Sequence, residues 1–378
     1  MTSSISRRQA LAAVLGTAAL SSSIAGTTAA AGASGRVGGA RPREETRTLD
    51  ELYRDALAEG GKLVIYSGGD IDSQADGVRA GFRSEFPDID LRIVVDYSKF
   101  HDARVDNQIA TDTLVPDLVQ LQTLHDFPRW KQEGRLLAYK PAGFSHIYDG
   151  FKDPDGAWVA IAVLAFSYMY SSALAGKNAP RMPTELVDPR WKGQIASSYP
   201  NDDDAVLYLF KLYAETYGWD WIAKLAGQEL QFARGSFTPR AAVTSGQKLV
   251  GIGGSGSLTA PPSDPVRWAA AARHPFMGWG QRAAIFADAK HPTAAKLYLN
   301  WQLSAARQQA STNGWSVRTD VTPAGGLAPI WKYSNAHLDG FARFMADRGE
   351  VERWKQTFTL YFGEVKGEPS AGWLGLRP

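Results

Sequence analysis

The chain has 378 residues, 44% of them hydrophobic and 21% charged, with 12 tryptophans and a formal net charge of +2. That composition supports a large folded core and excludes a disordered chain, and the balanced charge, without a lysine- or arginine-rich block, argues against nucleic acid or an anionic membrane as partner. There is no cysteine, which removes disulfides, thiolate metal centres, cysteine nucleophiles and lipid attachment at an N-terminal cysteine.

In chain order, residues 1–33 read as an export signal. Arg7 and Arg8 precede an apolar run over 10–19, and small residues such as Ala31-Gly32-Ala33 offer a cleavage point. The run is shorter than the ~20 residues a membrane-spanning helix needs. The paired arginines point to the twin-arginine (Tat) export machinery. Residues 34–48, polar and rich in Gly and Arg, are expected to form a flexible leader.

A helix over 49–59 leads to a strand at 62–66. Ala75, Val78, Phe82 and Phe86 then share one helical face, followed by a strand at 91–97, a helix at 104–111 and a strand at 116–121. Such alternation calls for a mostly parallel sheet flanked by helices. A second unit repeats it, with strands at 194–199, 230–234 and 249–254 and a helix carrying Val206, Leu209, Phe210, Tyr213 and Tyr217. Between the units the stretch 158–170 is apolar and β-prone, and 276–286 returns. The expectation is an α/β, two-lobed chain joined by two crossing strands. Lobe 1 is discontinuous (49–160 plus 280–378) and lobe 2 spans 161–279. Parallel sheets bind ligands at the carboxyl ends of their strands, here facing one another across a hinged cleft.

Four blocks carry a family resemblance: Gly61-Lys62-Leu63-Val64-Ile65-Tyr66-Ser67, Asp188-Pro189-Arg190-Trp191-Lys192-Gly193-Gln194-Ile195, Gly280-Gln281-Arg282-Ala283-Ala284-Ile285 and His291-Pro292-Thr293-Ala294-Ala295-Lys296-Leu297-Tyr298. In that order the chain resembles the type 2 periplasmic solute-binding proteins of ABC importers, in the branch associated with ferric iron transport. The resemblance implies a type 2 periplasmic-binding-protein fold, capture of a small-molecule solute in the cleft, and delivery to ABC permease subunits. Ferric-binding members of that family place adjacent tyrosines after the strand matching 249–254, because phenolate oxygen suits hard Fe(III). Ser255-Gly256-Ser257-Leu258 stands there instead, and the chain has no Tyr-Tyr pair. A periplasmic monomer without cofactor, metal or lipid anchor is expected.

Candidate ligand-binding residues follow from the strand ends. Ser67, Gly68 and Gly69 offer a hydroxyl and open backbone N–H groups where the first strand stops. Gln122 stands just past the third strand. Ser198 and Asn201 hold the equivalent place in the second lobe, Arg234 and Ser236 follow its next strand, and Ser255 ends the last. Trp279 and Arg282 lie on the return crossing. Each has a plain structural reading as turn, helix cap or core. The serines 67, 198, 236 and 255 are expected to converge on a small polar or anionic solute, with Arg234 or Arg282 as counter-charge.

Other patterns carry less. Gly251 to Gly256 satisfies G-x-G-x-x-G, but Pro261-Pro262 follow where a nucleotide fingerprint needs a helix. Asp202-Asp203-Asp204 reads as acids opposing a helix dipole. The six histidines are dispersed, without the spacing of a zinc site, and no G-x-S-x-G elbow occurs. The competing expectations are a Tat-exported enzyme of unknown reaction, which needs a catalytic constellation, and a ferric-ion or ferric-chelate binder with a non-standard site.

Overall fold

The first helix of the fold, α1 (Leu49–Glu59), starts at a capping box: Thr48 Oγ1 accepts from the Glu51 N–H and the Thr48 N–H donates to the Glu51 carboxylate, satisfying two otherwise orphaned donors. The computed structural model describes residues 42–174, 178–310 and 313–369. The expected export signal and residues 34–41 of the expected leader lie outside them. From residue 44 the leader is tied down. Glu44 bridges to Lys140, and Glu45 accepts from Arg47 and from the Tyr139 hydroxyl.

The first strand set is β1 (Lys62–Gly68) between β2 (Asp90–Asp96) and β3 (Leu118–Leu121), all parallel. The helices α2 (Asp76–Glu85), α3 (Ser98–Ala110) and α4 (Asp126–Gln132) follow these strands in turn. The second set is β5 (Ile195–Ser198), β6 (Gln231–Ala233) and β7 (Val250–Ser255), with β6 and β7 each parallel to β5. It carries α5 (Asp204–Tyr217), α6 (Trp219–Ala226) and α7 (Thr238–Thr244). Two crossing strands, β4 (Val159–Ser171) and β9 (Met277–Ile285), pair antiparallel and join the sets. Their pairing carries a bulge between Ala160 and Ala162, and a second irregularity lies between Ser167 and Tyr168 where β4 meets β7. The result is one sheet in the order β2-β1-β3-β9-β4-β7-β5-β6, with β8 (Val266–Ala269) also on β4. The expected architecture of two parallel sets and two crossings is therefore present.

Each set has its own core. Leu63, Ile65, Phe82 and Leu91 pack with Trp301 of α8 (Pro292–Leu303), which α9 (Ala305–Gln309) follows. Phe210, Tyr213, Trp221 and Ile252 form the other centre. The last two helices, α10 (Leu338–Ala346) and α11 (Arg348–Phe362), place Phe341, Phe344 and Phe358 in that second centre. The sequence expectation gave all of 280–378 to the first lobe, but the apolar faces of 338–362 pack against α5 and α6. Among the described residues no helix is long and apolar enough to cross a membrane.

Candidate ligand-binding site

A cavity of about 340 Å³ opens where the carboxyl ends of the two strand sets meet. The first set supplies Gly68, Gly69 and Asp70 after β1, Tyr97, Ser98 and Lys99 after β2, and Gln122 and Thr123 after β3. The second supplies Asp202, Asp203 and Asp204 after β5, Gly235 and Ser236 after β6, and Ser255 at the end of β7. Trp279 and Phe166 of the crossing strands form its apolar wall, their rings edge-to-face at 5.0 Å. Glycine is required after β1 by close approach. A Cβ on Gly68 would collide with Ser98 Oγ, and one on Gly69 would come within 2.7 Å of Gln74 Oε1 and Val95 Cγ1.

Polar contacts cross the cavity from one set to the other, Lys99 Nζ donating to the Asp202 carbonyl at 2.8 Å among them. Ser236 Oγ donates to Asp70 Oδ2 at 2.7 Å, Lys99 Nζ to Asp202 Oδ1 at 2.6 Å, and Gln122 Nε2 to Asp203 Oδ1 at 3.3 Å. The structure thus holds the two halves drawn together.

The lining carries four carboxylates and one ammonium. Burial opposes ionisation of Asp202, but Lys99 and Arg234 hold its carboxyl below the ordinary range. Lys355 and Arg348 do the same for buried Asp204. Asp70 is pushed up by burial, with the Ser236 and Gln74 hydrogen bonds opposing. Burial, and then the charge of Asp70, push Asp203 up to about 6. Asp203 Oδ1 also accepts from the Ala205 and Val206 N–H groups that open α5, at 2.8 and 3.0 Å. The helix N-terminus at the cavity therefore already holds an anion of its own.

Residues 115–252 match the family of bacterial extracellular solute-binding proteins. An uncharacterized protein of Haemophilus influenzae is 23% identical over 251 residues, 60% of this chain and 71% of that protein. Among solved structures, iron-bound HitA of Pseudomonas aeruginosa has a TM-score of 0.61 at 16% identity, covering 78% of this chain and 98% of that one. AfuA of Actinobacillus pleuropneumoniae, with exogenous fructose-6-phosphate bound, has a TM-score of 0.60 at 18% identity over 80% and 99% of the two chains. The substrate-binding protein of an ABC transporter from Agrobacterium tumefaciens gives 0.62 at 15% identity over 82% and 97%. The fold is that of the type 2 periplasmic binding proteins.

Of the residues expected at a type 2 cleft, Gly68, Gly69, Gln122, Ser236, Ser255 and Trp279 line the cavity. The others do not. Ser67 is buried and its Oγ accepts from Gln120 Nε2, its register partner on β3, which puts both side chains on the α8 side of the sheet. Ser198 is fully buried and donates to the Gly235 carbonyl at 2.8 Å. Asn201 donates to Thr359 Oγ1 and the Gly363 carbonyl, tying the loop to the end of α11. Arg234 grips both oxygens of Asp202, each at 2.9 Å. Arg282 stacks on Trp158, bonds the Leu124 carbonyl and lines a separate cavity of about 230 Å³. The four serines do not converge, and neither arginine is a counter-charge in the main cavity. Within β1 and β9 alternation decides this, since consecutive residues face opposite ways and Ser67 and Arg282 turn from the cleft; Asn201 and Arg234 lie in loops, held by α11 and by Asp202.

Sequence reasoning also passed over Asp70, Tyr97, Lys99 and Thr123. Lys99 carried a signal, since it follows a predicted strand end. The Asp202–Asp204 triplet caps a helix as expected and lines the cavity as well.

Proposed function

We propose that this chain is an extracytoplasmic solute receptor that closes on a small polar solute and presents it to an ABC permease, without catalysing a reaction. The observation that carries this reading is the cavity at opposed strand ends, spanned by the contacts Asp70–Ser236, Lys99–Asp202 and Gln122–Asp203. Side chains that bridge a cleft when it is closed report a two-part device whose ligand adds to the same bridge. We read the cargo as neutral or cationic, bearing hydrogen-bond donors. Among the described lining residues there are four carboxylates and no arginine; Asp202 pairs with Lys99 and Arg234 and Asp204 with Arg348 and Lys355, which leaves the negative character of the cavity to Asp70 and Asp203. The Trp279–Phe166 wall packs the apolar side of such a solute. Tat export, release as a free monomer and an uncoordinated cleft complete the proposal. Tyr97 is the one tyrosine among the described lining residues, so a tyrosinate iron centre is not part of it.

A thermal-shift screen tests the reading. Amines, polyamines, amino acids and polyols are expected to include compounds that raise the melting temperature, since a ligand that binds only the folded state stabilises it by mass action. Stabilisation by sugar phosphates and other oxyanions alone would reverse the charge assignment. Turnover of a screened compound would overturn the receptor reading itself.

A further inference from the structure

Away from the solute cavity, α3 and the start of α4 bring together three side chains with metal-ligating chemistry. Asp102 lies on α3, and His125 and Asp126 open α4. Each offers one donor atom, and the three atoms lie within 4.8 Å of one another. None of the three lines the main cavity.

The hydrogen bonding here is incomplete. Asp126 is only 2% exposed. Its Oδ1 accepts from Arg129 at 2.9 Å, but its Oδ2 is buried with no hydrogen-bond partner among the described residues. His125 Nδ1 is likewise buried without a partner. Buried polar atoms are almost always satisfied, so two orphans on adjacent residues call for a group that the protein itself does not provide. Asp102 has one oxygen engaged by the Ala103 N–H. The surrounding charges are Arg129, Arg348, Asp106 and Asp204.

We infer that Asp102, His125 and Asp126 form a binding site for a first-row divalent cation, zinc or manganese. Two carboxylates and an imidazole, with no sulfur, suit those ions, and water completes the coordination. The cation draws on the carboxylates of Asp102 and Asp126 and on an imidazole nitrogen of His125, whose Nε2 lies 3.7 Å from Asp126 Oδ1. It also pins the start of α4 to α3, just past Gln122 and Thr123 of the solute cavity. Sequence spacing concealed the site because one ligand comes from a different helix. The inference stands apart from the solute reading: it concerns other residues and another ligand.

The test is equilibrium dialysis of the chelator-treated full chain against zinc chloride, then manganese chloride, with elemental analysis and a melting curve. One cation per chain and a raised melting temperature are expected. Asp102→Asn and His125→Ala should each bind the cation about 100-fold more weakly, a loss at least as large as that from removing an outer-shell partner. His291→Ala, whose imidazole pairs with Asp117 elsewhere, should bind as the parent does. Circular dichroism checks that each variant is folded; if His125→Ala is not, Asp102→Asn carries the comparison. Absence of both cations from the parent, or equal binding by parent and folded variants, overturns the site.

Discussion

Asp203 shows how one carboxylate can serve two ends at some cost. It caps α5, and it faces the cavity, where burial and then the charge of Asp70 raise its pKa to about 6 against an ordinary 3.8. A carboxyl raised on folding binds its proton more tightly in the folded state. Its contribution to stability is therefore full below pH 3.8 and is lost as pH rises through 6. Asp203→Asn keeps the capping acceptor and removes the charge. Unliganded Asp203→Asn is expected to exceed the parent by on the order of 2 kcal/mol at pH 7, with the difference vanishing toward pH 4. Urea midpoints at the two pH values measure it; a difference independent of pH would show that Asp203 is not the titrating group. Ser198 is the quieter case. Ser198→Ala removes one of the two hydroxyls that donate to the Gly235 carbonyl, leaving that of Thr238, and should cost about 1 kcal/mol in the same measurement, with no change in pH dependence. Residue types at strand ends were legible in the sequence, as Ser236 and Ser255 show. Their direction was not: Ser67 and Ser198 occupy equally polar positions, but Ser67 turns to Gln120 on the α8 side and Ser198 is buried against the Gly235 carbonyl.

The strands and most helices were readable because apolar periodicity and strand length set them directly. The ends of β1 and α1 fall close to those expected, whereas α3 begins at Ser98 rather than at 104, and α4 and α6 were not foreseen. Two other kinds of element escaped. β8, four residues long, offers too little alternation to stand out beside Pro261 and Pro262. The helices α10 and α11 were foreseeable as helices, but which core they cover depends on contacts with α5 some 140 residues away in sequence, such as Arg348 with Asp204. Phe358 makes the placement testable. It is fully buried, edge-to-face with Phe210 at 5.8 Å. Phe358→Ala should destabilise the chain by about 3–5 kcal/mol, and hydrogen exchange should speed up in α5 and α6 while β1 and β2 keep their protection. Equal loosening of β1 would place α11 with the first half instead.

For the molecule as a whole, closure rests on a small number of polar contacts across the cavity. Lys99→Ala removes the single ammonium among the cavity-lining residues and its bond to Asp202. Small-angle scattering should then show a larger radius of gyration without ligand, and the affinity for a stabilising solute from the screen should fall about tenfold, the effect of losing one charged hydrogen bond. Titration with ferric citrate should give no tyrosinate-to-iron charge-transfer absorption; such a band, lost in Tyr97→Phe, would return the chain to iron binding. The crossing strands set how that opening proceeds. β4 and β9 are paired at seven positions, from Val159 with Ala283 to Phe166 with Met277, with one bulge between. A ladder buried along this length has no slack joint to swing on. Separation of the halves has to be stored as extra twist in the ribbon, which acts as a torsion bar whose restoring force grows with displacement. Opening should then be graded, and distance distributions between labels on the two halves should broaden continuously as ligand is withdrawn rather than split into two peaks.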